Sequence, residues 1–243
     1  MIDLLSLRLN ETLDPDAYRP VFRTHRRLHI PSILEPTSAA ALHGRLETSP
    51  DWTRSFHVEG GKDVDIRVDE LDALTPEERA AFEQSQVGST TDGIAYVFDS
   101  IRITAGLKDG RPGAGAMRDI QQFVNGAAFL DFMVRLTGDE RIAFSDVMAT
   151  RYLRGHFASA HVDKIPGQQR LYAYVLNLTP QWWIDWGGVL MFHDEDGHVA
   201  EGYTPRFNAL NVFAVPQMHS VSTVSRLAQD PRYSITGWLH AAG

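Results

Sequence analysis

From Ile142 onward, apolar and polar residues alternate over short runs separated by turn residues. Eight such runs follow one another: FSDVMATRYL, ASAHVDK, RLYAYVLNL, GGVLMFH, VAEGYTP, ALNVFAV, HSVSTV and YSITGWLH. Short runs of period two, with no long helical pattern between them, predict an antiparallel double sheet of the sandwich or jelly-roll kind. Asp196-Gly197 is a hairpin-type dipeptide between two of them. The first half is patterned differently. HRRLHIPSIL (His25 to Leu34) reads as a strand broken at Pro31, PTSAAALHGRLETS as a helix, and GIAYVFDSIRI as a strand rich in β-branched and aromatic residues. TPEERAAFEQSQ opens with a capping box, Thr75 as N-cap, Pro76 in the first turn and Glu78 reaching back. In GAMRDIQQFVNGAAFLDFMVRLTG, Ile120, Phe123, Val124, Ala127, Leu130 and Val134 follow helical spacing, and Gly138 stands where a C-terminal cap belongs. The opposite flank, with Phe129, Phe132 and Met133, is apolar too, so this reads as one long helix laid across a sheet and buried on two sides.

These patterns predict a mainly β chain with supporting helices. An N-terminal α/β half (1–141) packs on a jelly-roll core (142–243), and the whole 1–243 reads as one domain because nothing near Thr137 to Arg141 resembles a free linker. The 243 residues are 43% hydrophobic and 22% charged, a globular balance. A net charge of −8 argues against a general nucleic-acid or anionic-membrane binder. One basic run, Arg23 to Arg27, reads as a solvated face of an N-terminal strand. The start has no basic n-region or sustained apolar stretch, so a soluble cytoplasmic protein is expected.

The chain contains no cysteine, which removes disulfides and thiolate metal sites together. Any metal must be held by His, Asp, Glu or water, which favours the harder ions. His161 and Asp163 lie two apart in SAHVDKIPG, on one face if the segment is a strand. With His219, at the end of an apolar strand, they make the composition of a two-histidine, one-carboxylate site. Taken alone the pair is unremarkable, and other histidines compete. His193, Glu195 and His198 form a second set, read as a solvated acidic hairpin tip, while His156 does not share the His161 face. The last strand adds weight: RYSITGW carries Arg232, Ser234, Thr236 and Trp238 on one face, and an arginine there offers a fork to a carboxylate. Tyr152 precedes the His-x-Asp segment, and Gly187-Gly188 precedes VLMF.

Taken in order, Tyr152, His161-x-Asp163, LNLTPQWW, Gly187-Gly188, His219-Ser220-Val221 and RYSITGW resemble the prolyl-hydroxylase group of iron(II)- and 2-oxoglutarate-dependent dioxygenases. The resemblance covers roughly Ser145 to His240. It implies a double-stranded β-helix, Fe(II) held by His161, Asp163 and His219 as the catalytic centre, 2-oxoglutarate and O2 as co-substrates, and ascorbate as an auxiliary reductant. It implies that Arg232 binds the distal carboxylate of 2-oxoglutarate, in preference to Arg226, which falls in the polar SRLAQDP connection. Tyr152 reaches the same co-substrate, and Leu190 walls the pocket. Asn177 stands where several relatives carry a contacting tyrosine. Trp238 corresponds to the pocket tryptophan, and Arg170 is a candidate for meeting substrate, with a surface position as its plainer reading. Tyr172 and Tyr174 fall on the opposite face, in the core. The resemblance further implies hydroxylation of a C–H bond, foremost in a prolyl residue of a protein or peptide. The loops HVEGGKDVD and LKDGRPGAG are candidates for a lid or peptide groove. Three other readings remain open: a hydroxylase of a small molecule or free amino acid, a cupin-like metal-binding module without turnover, and a zinc hydrolase using the same three ligands. Oligomeric state is not legible.

Overall fold

A computed structural model describes residues 6–58, 62–85 and 94–242. All eight alternating runs are strands: β5 (Ile142–Tyr152), β6 (Phe157–His161), β7 (Arg170–Asn177), β8 (Leu190–His193), β9 (Val199–Tyr203), β10 (Ala209–Ala214), β11 (His219–Val221) and β12 (Arg232–Ala241). The first half contributes β1 (Arg27–Ile30), β2 (Thr53–Val58), β3 (Lys62–Arg67) and β4 (Tyr96–Ile101). Pairing runs in the order β1-β10-β7-β12-β5-β4-β6-β11-β8-β9, with β2 joined to β4 and β3. All the pairs are antiparallel, and the sheet rolls up so that β4 bonds to both β5 and β6. The result is the nearly closed, mainly β barrel that the alternation predicts.

The two ends of that path, β1 and β9, are not joined by a backbone ladder. Side chains span the seam instead. Arg27 of β1 pairs with Glu201 of β9 and lies 5.0 Å above the Phe192 ring, while the His29 and Tyr203 rings are 5.6 Å apart.

Period two on β7 and β12 builds two different layers. Tyr172, Tyr174 and Leu176 on β7, with Tyr233, Ile235 and Leu239 on β12, face outward into a large core with the helices. Ala173 and Val175 face the inside of the roll, where they meet Leu190, Phe192 and Phe213, with Trp238 packed against them. Each outward aliphatic side chain removed from water is worth about 1.5–3 kcal/mol. Strands buried on both sides are therefore held in register firmly, because a slip of one residue would exchange the layers. Gly237 interrupts the outward row of β12 because the Tyr174 hydroxyl occupies that space: an added Cβ would lie 2.3 Å from it.

The helices cover the outer face: α1 (Pro15–His25), α2 (Pro36–Glu47), α3 (Val68–Asp72), α4 (Pro76–Ser85), α5 (Ile103–Lys108), α6 (Pro112–Gly115), α7 (Arg118–Val124) and α8 (Ala127–Thr137). The capping box forms as read, with Thr75 N–H donating to Glu78 Oε2 at 2.9 Å and Glu78 N–H to Thr75 Oγ1 at 3.3 Å. Gly138 caps α8 in the left-handed region, φ 71°.

Two expectations are corrected. The long helix is in fact α7 and α8, broken at Asn125-Gly126. The Asn125 side chain clamps β5, donating to Ser145 O at 2.9 Å and accepting from Ser145 N–H at 2.9 Å, and extended Gly126 restarts the chain as the N-cap of α8. The break re-aims the second half, so α8 buries Phe129, Phe132, Met133 and Leu136. The basic run is not a strand face either: Arg23 to His25 close α1, Arg26 is its left-handed cap, and β1 begins at Arg27. Of the two proposed loops, HVEGGKDVD is largely the β2–β3 hairpin, with residues 59–61 outside the described residues, and LKDGRPGAG is the end of α5, a turn and α6.

Candidate metal centre and its pocket

His161 ends β6 and His219 begins β11, and the two are direct partners in the antiparallel β6–β11 pair. Direct cross-strand pairing brings residues remote in sequence side by side, and the two ring centroids are 4.3 Å apart. Asp163 stands just past the end of β6, so the His-x-Asp pair straddles a strand end where a strand interior was expected. Its carboxylate oxygens lie 3.7 Å from His161 Nε2 and 3.5 Å from His219 Nε2. One ligand atom from each of the three residues lies within 4.8 Å of the others.

The tautomers follow from the neighbours. His161 Nδ1 is 2.7 Å from Ser159 O, and His219 Nδ1 is 2.9 Å from Gln217 O. A carbonyl only accepts, so each Nδ1 carries the hydrogen and each Nε2 keeps a lone pair facing the site. Burial holds the His219 pKa below the ordinary imidazole range, against the pull of Asp163. Two imidazoles and a carboxylate, without a thiolate, fit Fe(II) and leave coordination positions for other ligands.

Arg232 opens β12 opposite Tyr152 of β5 and is 1% exposed. Among the described residues no carboxylate pairs with it. Its Nη2 donates to Asn177 Oδ1 at 3.3 Å, its buried Nε has no partner, and its guanidinium lies 5.0 Å above the Tyr152 ring. Burial pushes the Arg232 pKa down, and the same burial pushes the Tyr152 phenol up to about 12. A buried cation without a counter-charge is costly, and an anion that reaches it removes that cost.

The three candidate ligands and Arg232 open into one cavity of about 350 Å³. Tyr152, Leu190, Arg170 and Trp238 line it as well, with Thr236, Met148 and Val175 from the inward faces of β12, β5 and β7. Asn177 lies on the Ala173–Val175 side of β7 as expected, but its amide meets Arg232 and is not part of the cavity wall. Arg226 is exposed in the loop after β11, away from the cavity. His193 bonds to Ser220 Oγ at 2.8 Å, and Glu195 and His198 stand exposed at the β8–β9 turn.

The plainer, surface reading of Arg170 is overturned. Arg170 is half-buried, its Cζ is 4.0 Å from the centre of the Trp238 ring, its Nη1 donates to Asp163 O at 3.4 Å, and its buried Nε has no partner. Several wall residues were not singled out by the sequence reading, among them Asp63 on β3, Ile94, and Tyr96 and Phe98 on β4. For Tyr96 and Phe98 a signal existed, since period two puts both on the Tyr152 side, where Phe98 stacks on Tyr152 at 5.3 Å. Asp63 falls in the HVEGGKDVD segment named as a candidate groove, but its own place was not legible, because its bond to His57 Nδ1, at 3.0 Å, depends on the β2–β3 register.

Residues 147–240 match the 2OG-Fe(II) oxygenase superfamily. Over 119 residues the chain is 29% identical to a prolyl 3-hydroxylase, OGFOD1, of Xenopus laevis; the match takes in 46% of this chain and 23% of that protein. Thus the chain spans about a quarter of the length of that relative. Two solved structures share the fold. One is an oxidoreductase of the 2OG-Fe(II) oxygenase family from Burkholderia pseudomallei, with a TM-score of 0.58 at 14% identity, covering 96% of this chain and 92% of that one. The other is a prolyl hydroxylase from Trichoplax adhaerens bound to a hypoxia inducible factor peptide fragment, with a TM-score of 0.54 at 15% identity, covering 93% and 89%.

Proposed function

We propose that the chain, whose residues 147–240 match the 2OG-Fe(II) oxygenase superfamily, is an oxygenase of that kind and hydroxylates a prolyl residue of a protein or peptide. The family implies Fe(II), 2-oxoglutarate and O2. Bound together, these supply the oxidation of a C–H bond to an alcohol, coupled to conversion of 2-oxoglutarate to succinate and carbon dioxide.

The observation that carries the reading is the placement of Arg232: a fully buried guanidinium with no carboxylate partner among the described residues, in the same cavity as two imidazoles and a carboxylate. A dicarboxylate that chelates a metal at one end needs such a cation at its other end. The chain's own residues divide the remaining work. His161, Asp163 and His219 would hold the metal, the two imidazoles oriented by Ser159 O and Gln217 O. Tyr152, kept protonated by burial, offers its hydroxyl and ring beside Arg232. Leu190, Val175 and Phe213 give the cavity an apolar wall that excludes water.

Arg170 and Trp238 support a prolyl substrate. A flat indole suits a pyrrolidine ring, and an arginine with unused donors suits the carbonyl beside it. The named activity of the Xenopus relative and the peptide held by the Trichoplax enzyme support the same substrate class.

The test is an anaerobic titration of the apoprotein with Fe(II) and then 2-oxoglutarate, read as the weak visible charge-transfer band of the chelate. A saturable band is expected, and His219→Ala is expected to abolish it. Metal binding without any response to 2-oxoglutarate would sink the proposal in favour of a binding module without turnover.

A further inference from the structure

Asn177 occupies an unusual position for an amide. It is 1% exposed, the last residue of β7, and flanked by β10 and β12 through its pairs with Ala209 and Ser234. Its Oδ1 accepts from Arg232 Nη2 at 3.3 Å, while its Nδ2 donates to Ala209 O at 3.3 Å. The Ala209 carbonyl fixes the orientation: the NH2 end must face it, so the oxygen end must face the guanidinium. This is the one hydrogen bond that the Arg232 side chain makes among the described residues.

On the other side Arg232 is backed by Gly188, where an added Cβ would lie 3.1 Å from Arg232 Cδ and 3.3 Å from Trp182. Tyr152 bounds the guanidinium with its ring. The guanidinium is therefore held in place by one neutral acceptor, one aromatic face and close backing, and none of these carries a negative charge.

We propose that Asn177 is a positioning residue that orients Arg232 while leaving its positive charge uncompensated for the distal carboxylate of the co-substrate. An aspartate of the same size would make the same contact but would supply the counter-charge permanently. A buried ion pair would then replace a waiting cation. The fold would give up the bond to Ala209 O and gain the ion pair with Arg232, and the reason for a carboxylate to enter would disappear. The inference rests on the functional reading above, and it assigns Asn177 an action through Arg232 with no contact to the co-substrate.

The test uses Asn177→Asp and the size-matched Asn177→Leu, each loaded anaerobically with Fe(II). Dissociation constants are measured for 2-oxoglutarate and for 2-oxobutanoate, which chelates the same way but has no distal carboxylate. For Asn177→Asp we expect an apoprotein that still melts cooperatively, since the new ion pair with Arg232 offsets the lost bond to Ala209 O. We also expect at least tenfold weaker 2-oxoglutarate binding and an unchanged 2-oxobutanoate constant. Asn177→Leu is expected to weaken 2-oxoglutarate by about threefold or more, again without moving 2-oxobutanoate, and it carries the test alone if the aspartate variant does not fold. Unaltered 2-oxoglutarate affinity in the variants overturns the proposal. So does an equal loss for both ligands, which is the mark of a merely structural role. Absence of 2-oxoglutarate binding in the natural protein is a separate result, because it removes the functional reading itself.

Discussion

His156 is a buried imidazole that the metal site does not use. Burial lowers its pKa from 6.5 to about 3, with Arg54 adding to the effect, and its Nδ1 has no partner. The folded state thus keeps the ring neutral over a range where the unfolded chain takes up a proton. The stability this represents is fully present above pH 6.5 and is lost as pH falls from 6.5 toward 3. At pH 4.5 the loss is about 2–3 kcal/mol, taking 1.36 kcal/mol for each pH unit. Urea unfolding at pH 7 and pH 4.5 is expected to show His156→Phe losing less stability over that interval than the natural protein, by about that amount. Equal acid sensitivity would mean that the ring is protonated in the fold. At this scale the sequence was informative about the residues that form a motif and silent about those that form a surface. His161, Asp163, His219 and Arg232 stood out by order and spacing. Arg170 did not, because its burial depends on Trp238 from a strand remote in sequence.

Among the elements, the eight C-terminal strands were legible because period two separates an outward, helix-covered row from an inward, cavity-facing row. Two kinds of element were not. Helix α1 has the start signals, Asp14 accepting from Asp16 N–H and Pro15 in the first turn, but it buries only Pro15 and Phe22. Its interior Pro20 reads as a helix breaker and hides the periodic pattern that its residues do carry. The α7–α8 break was hidden for the opposite reason, since apolar residues ran on through it and the decisive bond, Asn125 to Ser145, is long-range. The turn between β7 and β8 allows a sharper expectation. Gly187, at φ 70° and ψ −143°, lies in a region open essentially to glycine, and an added Cβ would sit 2.1 Å from Thr223 O. Gly187→Ala is expected to cost roughly 2–4 kcal/mol in chemical denaturation. A cost below about 1 kcal/mol would mean that the 182–186 and 223–225 segments separate without penalty.

For the molecule as a whole, the seam between β1 and β9 is where the barrel closes without a ladder, and side chains must do what hydrogen-bonded backbone does elsewhere. Glu201 contributes its pairing with Arg27, a half-exposed ion pair worth about 1 kcal/mol or less. Arg27 contributes the pair and also its stacking over Phe192, a residue buried inside the roll. Thermal unfolding is therefore expected to rank Arg27→Ala below Glu201→Ala in melting temperature, each kcal/mol corresponding to about 2–4 °C at this chain length. Equal melting temperatures would show that the ring contact adds nothing to closure.

The carbonyls of Ser159 and Gln217, which hold the two imidazoles, are properties of the chain and not of any side chain. Point mutation cannot delete a peptide oxygen. Positions 159 and 217 can therefore drift in identity while the orientation of the imidazoles is inherited unchanged. At Ser159 that freedom has already been put to another use, its hydroxyl accepting from Ala95 N–H to tie the approach to β4 against β6. Descendants of this chain can thus remodel the immediate surroundings of the candidate metal ligands without first risking the ligands themselves.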